Sequence, residues 1–449
     1  MLATSPRPDA ASAGDEDALF AWVAEVCGGP VQRISQASGG NRCRSWAIDV
    51  AAPDGAAEVF LRYAPPRPPS AEPYTVHREA QVYRAIGGAG LLAPRLIAEH
   101  PRLQAVLTSR APGIAEFRRL HDAAEKQAIA CELMDTLARL HRIPTAGVTL
   151  DGGGQGVRIA DHVRAELGIW QAMYAETGRT DPLLDVAFNW LAENMPDPDG
   201  AVVLAHGDAG PGNFLFEQGR MTALIDWELA HLGDPMEDLA WFSMRCVMEP
   251  VPDFSECLRE YERRAGAPVD RARILYHRAF VSTRVVVIRH RNVTGEPAHA
   301  IVSRALNRRL LVEALSDAAG VPVDPPAPLD LPPTEQGGLF DHVLADLRDV
   351  VVARSTDRQV VAKAKEAAKV LKYLHATDRY GAALAEADDA ALTALLGTDA
   401  SPDALGAALA EGRIGFPQAL DYFAGQAARQ AQLAAAASGG IASRYYPAL

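Results

Sequence analysis

The spacing of apolar residues divides the first 320 residues into a mixed segment and a helical one. From Phe20 to Gly113, short apolar runs predict strands and two amphipathic stretches predict helices. The strand runs are RSWAIDV, EVFLRYA, LIAEH and AVLTSR, and the helical stretches are ALFAWVAEV and TVHREAQVYRAI. The pattern indicates a small α+β unit.

After Gly113 the apolar residues recur mainly at helical spacing. KQAIACELMDTLARLHRI places its apolar side chains on one stripe, and VRAELGIWQAMYAE, LLDVAFNWLAENMP and residues 255–319 predict further helices. Residues 321–333 contain six prolines and predict a linker. An Ala-rich tail after this linker has a helical pattern.

The run VVLAHGDAGPGNFLF (202–216) interrupts the helical pattern with two apolar strands and a polar loop between them. The loop holds Asp208 and Asn213, and a second carboxylate, Asp226, follows after the segment NFLFEQGRMTALID. That segment predicts a hairpin, which returns the chain and brings Asn213 close to Asp226. A lone His-Gly-Asp is usually a turn, so the whole spacing, rather than the triplet, indicates a site.

The chemistry of this spacing is that of phosphoryl transfer. An amide and a carboxylate suit Mg²⁺, which takes few protein oxygens and leaves other positions to water and phosphate. Asp208 would then orient and deprotonate a hydroxyl group. The order D-x-x-x-x-N, hairpin, metal-binding Asp is the one that kinases use.

The segment HGDAGPGNFLF…ALIDWELAHLGDPMEDLAW resembles the catalytic segment of the aminoglycoside phosphotransferase and choline kinase-like family. LMDTLARLH resembles the helix before that segment, and the likeness runs from about residue 30 to 320. With WLAENMP, the pattern is most similar to kinase domains associated with acyl-CoA dehydrogenases. The resemblance implies a two-lobed protein-kinase-like fold that binds ATP, with GTP as an open alternative, and Mg²⁺.

On this basis the expected fold is α+β: a small N-lobe with an antiparallel sheet, a larger and mostly helical C-lobe, and an all-α C-terminal domain. The expected segments are a disordered tail at 1–16, the N-lobe at 17–112, the C-lobe at 113–320, the linker at 321–333 and the helical domain at 334–449.

The resemblance assigns roles within the catalytic segment. It makes Asp208 the catalytic base, and Asn213 and Asp226 the Mg²⁺ ligands. His206 is expected to brace the loop through hydrogen bonds rather than to act as a base. Asp238 either accepts backbone N–H bonds from the catalytic loop or caps a helix N-terminus, and the sequence leaves both open.

The N-lobe must supply a cation that binds phosphate. In protein kinases this cation is a strand lysine that is paired with a helix glutamate. No lysine precedes Lys126, so Arg62 of EVFLRYA is the candidate, with Glu79 of HREAQVY as its partner. A guanidinium fork suits phosphate oxygens. The loop ASGGNRCRSW would offer backbone N–H groups to phosphate; the candidate residues are Ser38, Gly39, Gly40 and Asn41.

Composition limits the other classes of function. The chain has 44 Lys+Arg against 57 Asp+Glu, a net charge of −13, which argues against a nucleic-acid binder. Its five cysteines form no CxxC pair, and no signal peptide or membrane-spanning run is evident, so a cytoplasmic protein without a membrane partner is expected. There is no P-loop, H-E-x-x-H or G-x-S-x-G motif. Homodimerisation stays open.

The acceptor is suggested by charge in residues 271–310, which hold nine arginines and one acidic residue, Glu296. Arg284, Arg289 and Arg291 are candidates to contact a CoA phosphate or another anionic group, and a plain basic face is the alternative. A small-molecule kinase acting on a hydroxyacyl-CoA or similar metabolite is therefore the leading hypothesis. The alternatives are a pseudokinase-like binding or regulatory module and an aminoglycoside-resistance phosphotransferase.

Overall fold

The computed structural model describes residues 10–37, 43–53, 55–291, 297–397 and 400–449. It divides into two compact units. The first comprises Met1–Ala165, Asp199–Asp238 and Val251–Val269, and the second comprises Glu166–Pro198, Leu239–Pro250 and Asp270–Leu449. The lobe and linker boundaries expected from the sequence stay predictions.

The first unit contains a five-stranded antiparallel sheet in the order β1-β2-β3-β5-β4. Its strands are β1 (Val31–Ala37), β2 (Arg44–Ala52), β3 (Gly55–Tyr63), β4 (Leu96–Glu99) and β5 (Ala105–Ser109). Four of them match the apolar runs in the sequence, whereas β1 was not predicted. Its residues VQRISQA are mostly exposed and lack the apolar run of a buried strand.

One face of this sheet packs against α1 (Ala10–Cys27), which contributes Leu19 and Val23 to the core. Alternate residues of β2 and β3 point into that core; they are Trp46, Ile48, Val50, Val59, Leu61 and Tyr63. The helix begins at Ala10, so the predicted disordered tail at 1–16 is too long. Residues 1–9 lie outside the described part of the chain.

The opposite face of the sheet carries α2 (Val76–Ile86). Val76 and Ala80 of this helix cluster with Val106 of β5, and Val106 pairs in register with Arg62 of β3. Because strand side chains alternate between faces, Leu61 enters the α1 core while Arg62 points to the face that α2 covers.

The rest of the first unit holds α3 (Ala123–Leu140), α7 (Phe254–Ala265) and two short antiparallel pairs. β6 (Val203–Ala205) pairs with β9 (His231–Gly233), and β7 (Phe214–Glu217) pairs with β8 (Arg220–Leu224). The predicted hairpin is thus present, whereas β9 was not predicted. Helices α4 (Ile159–Ala175) and α6 (Pro235–Met248) begin in this unit and continue into the second.

The regular secondary structure of the second unit, in its described residues, consists of helices. It contains α5 (Pro182–Glu193), α8 (Arg271–Arg291), α9 (Pro297–Ala319), α10 (Gly337–Asp346), α11 (Arg358–Leu396), α12 (Pro402–Ala410) and α13 (Phe416–Ser438), with a π-helical segment at Leu347–Val352. α13 packs against both α9 and α11. Residues 321–334, the predicted linker region, form neither helix nor strand. In the part of the chain that is described, no helix combines the length and apolar character needed to span a bilayer.

Candidate active site

The polar loop after β6 has a conformation that only glycine permits at Gly207. This residue has a φ of 78°, and a Cβ atom there would lie 2.2 Å from the carbonyl oxygen of Leu229. The tight approach places Asp208 directly after β6. Asn213 Nδ2 then donates to the main-chain carbonyl and to Oδ2 of Asp208, each at 2.8 Å. The loop therefore fixes the orientation of the Asp208 carboxylate.

His206 braces this loop from the interior, where its side chain is fully buried. Its Nε2 lies 2.9 Å from the carbonyl oxygen of Ile225, and its Nδ1 accepts from the backbone N–H of Asp208 at 3.3 Å. One neutral tautomer, protonated on Nε2, satisfies both contacts. His206 thus connects the Asp208 loop to Ile225, the residue before Asp226.

Asp238, in the first turn of α6, anchors the same loop. Its carboxylate accepts from the backbone N–H groups of His206 at 2.8 Å and Gly207 at 2.9 Å, and His141 Nε2 lies 2.9 Å away. Burial alone would raise the pKa of Asp238. The hydrogen bond from His141 and the other contacts together lower this pKa by a larger amount, so it lies below its usual range. The residue that caps the N-terminus of α6 is instead Asp234, whose carboxylate accepts a hydrogen bond from Met236 N–H at 2.8 Å.

The hairpin returns the chain beside Asn213. Ile225 N–H donates to the Asn213 carbonyl at 2.9 Å, and Phe214 pairs with Leu224. The next residue, Asp226, has left-handed backbone angles (φ 66°, ψ 60°), which few non-glycine residues adopt. The two predicted metal ligands are therefore neighbours, and strained backbone turns the chain at the second of them.

Arg62 reaches this point from β3 and meets three carboxylates. Its Nε lies 3.1 Å from Glu79 Oε2, its Nη1 donates to Asp226 Oδ1 at 2.9 Å, and its Nη2 donates to Glu228. Glu79 projects from the first turn of α2 and is 3% exposed. The ion pair expected between Arg62 and Glu79 is therefore present, and the guanidinium also extends to the predicted metal ligand.

The charges of this cluster depend on one another. Burial lowers the pKa of Arg62, yet the three carboxylates more than offset it and hold that pKa well above the usual value. Burial raises the pKa of Glu79 to about 7, with Arg62 opposing and Asp226 and Glu228 adding to the rise. Glu79 therefore changes charge near neutral pH.

Three residues near the site make contacts that were not predicted. Glu228 binds Arg62, Tyr83 hydrogen-bonds Glu79 one helical turn away, and buried Arg78 donates to the carbonyl oxygens of Asp151 (2.6 Å) and Ala230 (3.3 Å). The i,i+4 spacing of Glu79 and Tyr83 was a usable signal. The carbonyl partners of Arg78 have no sequence signature.

The remaining predicted site residues have different outcomes. Ser38, Gly39, Gly40 and Asn41 lie outside the described residues. Arg284 is 1% exposed, lies 4.0 Å from Glu166 and packs over the Phe280 ring, so its assignment to a substrate surface is wrong. α8 is buried on most of its faces, and arginine density in the sequence does not reveal this. Arg291 pairs with Glu176 at 3.3 Å, and Arg289 lines a cavity.

The donor set at Asn213 and Asp226 fits Mg²⁺ on chemical grounds. Both hydrogen bonds from Asn213 Nδ2 go to Asp208, which leaves the amide oxygen available as a ligand atom. Within the described ranges, no cluster of three or more His, Cys, Asp or Glu residues is arranged to hold a metal ion. A site with two protein oxygens suits a cation that keeps water and phosphate ligands.

Comparison with known proteins agrees with this geometry. A family model described as phosphotransferase enzyme family matches residues 33–275, more than half of the 449 residues. The chain belongs to this family, and its fold is protein-kinase-like.

Individual relatives are more distant. Acyl-CoA dehydrogenase family member 11 of Pongo abelii is 28% identical over 202 residues, covering 41% of this chain and 25% of the relative. Hygromycin-B 4-O-kinase of Escherichia coli is 29% identical over 220 residues, covering 44% of this chain and 62% of the kinase. An apo crystal structure of a thermostable mutant of aminoglycoside phosphotransferase APH(4)-Ia has a TM-score of 0.49 and 21% identity, covering 67% of this chain and 99% of that one. The chain spans about a quarter of the length of the acyl-CoA dehydrogenase relatives.

Proposed function

We propose that the protein transfers the γ-phosphate of ATP to the hydroxyl group of a small molecule, with Mg²⁺ as the metal. The observation that carries this proposal is the return of the hairpin. It sets Asp226 next to Asn213, while Asn213 holds the carboxylate of Asp208. A base and two metal ligands thus meet at one end of a rigid pair of strands.

In the proposed reaction Asp208 accepts the proton of the acceptor hydroxyl. The hydroxyl oxygen forms a bond to the γ-phosphorus, the bond to the β–γ bridging oxygen breaks, and ADP leaves. Asn213 positions the base through its two hydrogen bonds to Asp208. When bound, Mg²⁺ would supply positive charge at the phosphate oxygens, with Asn213 and Asp226 as its protein ligands.

Arg62 takes the role that a lysine has in protein kinases. Its contact with Glu79 of α2 supports this assignment, because such sites bind phosphate through a strand cation that is paired with a helix glutamate. A guanidinium offers several N–H donors in one plane, so Arg62 can keep its ion pair with Glu79 and still bind phosphate oxygens. GTP remains an alternative donor to ATP.

A hydroxyacyl-CoA or similar metabolite is the proposed class of acceptor. Its support is the similarity to acyl-CoA dehydrogenase family members. The similarity to a hygromycin kinase supports an aminoglycoside acceptor as the second candidate. A location in the cytoplasm stays a prediction.

The test is ATP consumption with purified protein, with and without Mg²⁺, across acyl-CoA alcohols, amino alcohols, sugars and aminoglycosides. ADP release is expected to require both Mg²⁺ and one class of acceptor. Nucleotide binding is tested separately by thermal unfolding, since a ligand at one hundred times its Kd stabilises by about 2.7 kcal/mol. Absence of any shift with Mg²⁺ and ATP would contradict the proposal and favour a regulatory module.

A further inference from the structure

The second unit contains a cavity of about 280 Å³ that is separate from the residues assigned to phosphoryl transfer. The turn between α4 and α5, the end of α8, and residues of α9 and α13 form its wall. The polar residues that line it include Arg179, Asp181, Arg289, Arg304, Arg308 and Gln430.

The wall is strongly positive. Four arginines face one carboxylate, Asp181, while the chain as a whole carries −13. Asp181 is already engaged, because it accepts a hydrogen bond from Arg308 and caps α5 through the N–H of Leu183 at 3.2 Å. The carboxylate therefore offsets one arginine and leaves the charge of the other three uncompensated.

Two of these arginines have no protein partner in the described chain. Arg289 makes neither an ion pair nor a hydrogen bond, and its Nε is buried without an acceptor. Burial lowers the pKa of Arg289, with no opposing carboxylate. Arg304 is exposed and also lacks an ion pair within the described ranges. A buried guanidinium nitrogen without an acceptor is costly unless an anion binds beside it, and Arg289 shares the cavity wall with Arg179 and Arg304.

The rim of the cavity is fixed by contacts with uncharged groups, which leave the positive charge of the arginines unneutralised. Arg179 donates to the main-chain carbonyl of His290, and His290 Nε2 lies 3.2 Å from the main-chain carbonyl of Arg179. The Tyr174 ring packs edge-on against His290, with centroids 5.4 Å apart. Arg308 also donates to Gln426 at 3.2 Å. These contacts hold Arg179 and Arg308 in place before a ligand arrives, which reduces the entropy that these two side chains lose on binding.

We infer that this cavity binds a small phosphorylated molecule through Arg179, Arg289 and Arg304. Three uncompensated charges call for at least two negative charges in a small volume, which a phosphate group supplies and a single carboxylate does not. Guanidinium groups match phosphate oxygens in bidentate geometry. The inference does not rest on the proposed kinase activity, because none of the residues assigned to that reaction lines this cavity.

The probes are inorganic pyrophosphate and adenosine 3′,5′-bisphosphate, titrated calorimetrically into the full chain without Mg²⁺ or ATP. Saturable binding of one molecule per chain is expected. Arg289→Gln and Arg304→Gln should each weaken it about tenfold or more, since hydrogen bonds to charged groups contribute this much. Arg271→Gln is the matched control, because Arg271 is an exposed arginine of α8 outside the cavity.

Similar affinity for both probes would mean that phosphate alone is recognised, and tighter binding of the bisphosphate would mean that an organic body adds contacts. The inference is overturned if neither probe binds below roughly 1 mM. It is equally overturned if both cavity variants bind like the wild type, or if Arg271→Gln weakens binding as much as they do. Unaltered thermal unfolding of Arg304→Gln shows that its loss of binding is not a loss of fold.

Discussion

Arg62 donates a hydrogen bond to Asp226 at 2.9 Å although 164 positions separate the two residues in the sequence. The contact joins β3 of the five-stranded sheet to the end of the β7–β8 hairpin. Its geometry follows from two local features: strand alternation, which turns Arg62 away from the α1 core, and the left-handed backbone of Asp226. Replacing either residue should therefore affect both stability and nucleotide binding.

Replacing Arg62 by Met should destabilise the protein. The change leaves Glu79, Asp226 and Glu228 close together without a counter-charge, at a cost on the order of 3 kcal/mol. Urea unfolding measures this loss. Arg33→Met is the control, because Arg33 is largely exposed in its pair with Asp49 and should cost about 1 kcal/mol or less. Equal losses in the two variants would contradict a special role for Arg62.

Glu79 should make stability depend on pH near neutrality. Its folded-state pKa is about 7 against a reference value of 4.5, so the folded protein binds this proton more tightly than the unfolded chain does. Stability from this group is then present at low pH and is lost as pH rises from about 4.5 to 7. Glu79→Gln removes the titration. Its free energy of unfolding, relative to wild type, should rise on the order of 2 kcal/mol between pH 5 and 8.

The comparison requires urea unfolding of wild type, Glu79→Gln and Glu58→Gln at several pH values. Glu58 is an exposed residue of the same strand as Arg62, so its variant should follow the wild-type profile. Parallel profiles for Glu79→Gln and wild type would show that Glu79 does not titrate in this window.

Gly207→Ala should abolish most activity and destabilise the loop. The added Cβ would meet the Leu229 carbonyl oxygen at 2.2 Å, and the backbone φ is 78°. Gly178→Ala separates the two effects, because Gly178 has a φ of 61° with nothing within 4 Å of the added atom. The control should lose about 1 kcal/mol from backbone strain alone, and Gly207→Ala should lose clearly more in thermal unfolding. Equal losses would show that the loop adjusts to the methyl group.

Asp238→Asn should also cost stability, on the order of 3 kcal/mol, because one amide oxygen cannot serve the three donors around a buried carboxylate. Asp122→Asn is the matched control. Asp122 is exposed and caps α3 through the N–H of Glu125, a position where Asn serves as well. Thermal unfolding distinguishes the two variants, and a near-neutral Asp238→Asn would refute the anchoring role.

Much of the site follows from local sequence. The loop and hairpin were predictable because turn residues separate short apolar runs, and the meeting of Arg62 with Glu79 follows from strand alternation and the first turn of α2. The site could not be predicted completely, because Glu228 reaches Arg62 only after the left-handed turn at Asp226. Non-glycine residues seldom adopt that conformation, so it cannot be predicted from the sequence.

The helical tail shows the same limit on a larger scale. The sequence predicts a helical tail after the linker but not the lengths of its helices, and α11 is one helix of 39 residues from Arg358 to Leu396. Few of its side chains are buried, so its apolar pattern is weak, and contacts with α13 stabilise it instead. Stabilisation by such tertiary contacts is difficult to recognise in a short stretch of sequence.

The central claim is that Asp208 is the base of a phosphoryl transfer, and it is tested most directly by comparing Asp208→Asn with Asp199→Asn. Asp199 is an exposed aspartate of the same unit and serves as the matched control. With the acceptor found in the ATP-consumption screen, kcat of Asp208→Asn should fall at least about a hundredfold. Its affinity for ATP, measured by calorimetry, should stay within about threefold, and Asp199→Asn should match wild type in both measurements. Unchanged turnover in Asp208→Asn would contradict the assignment.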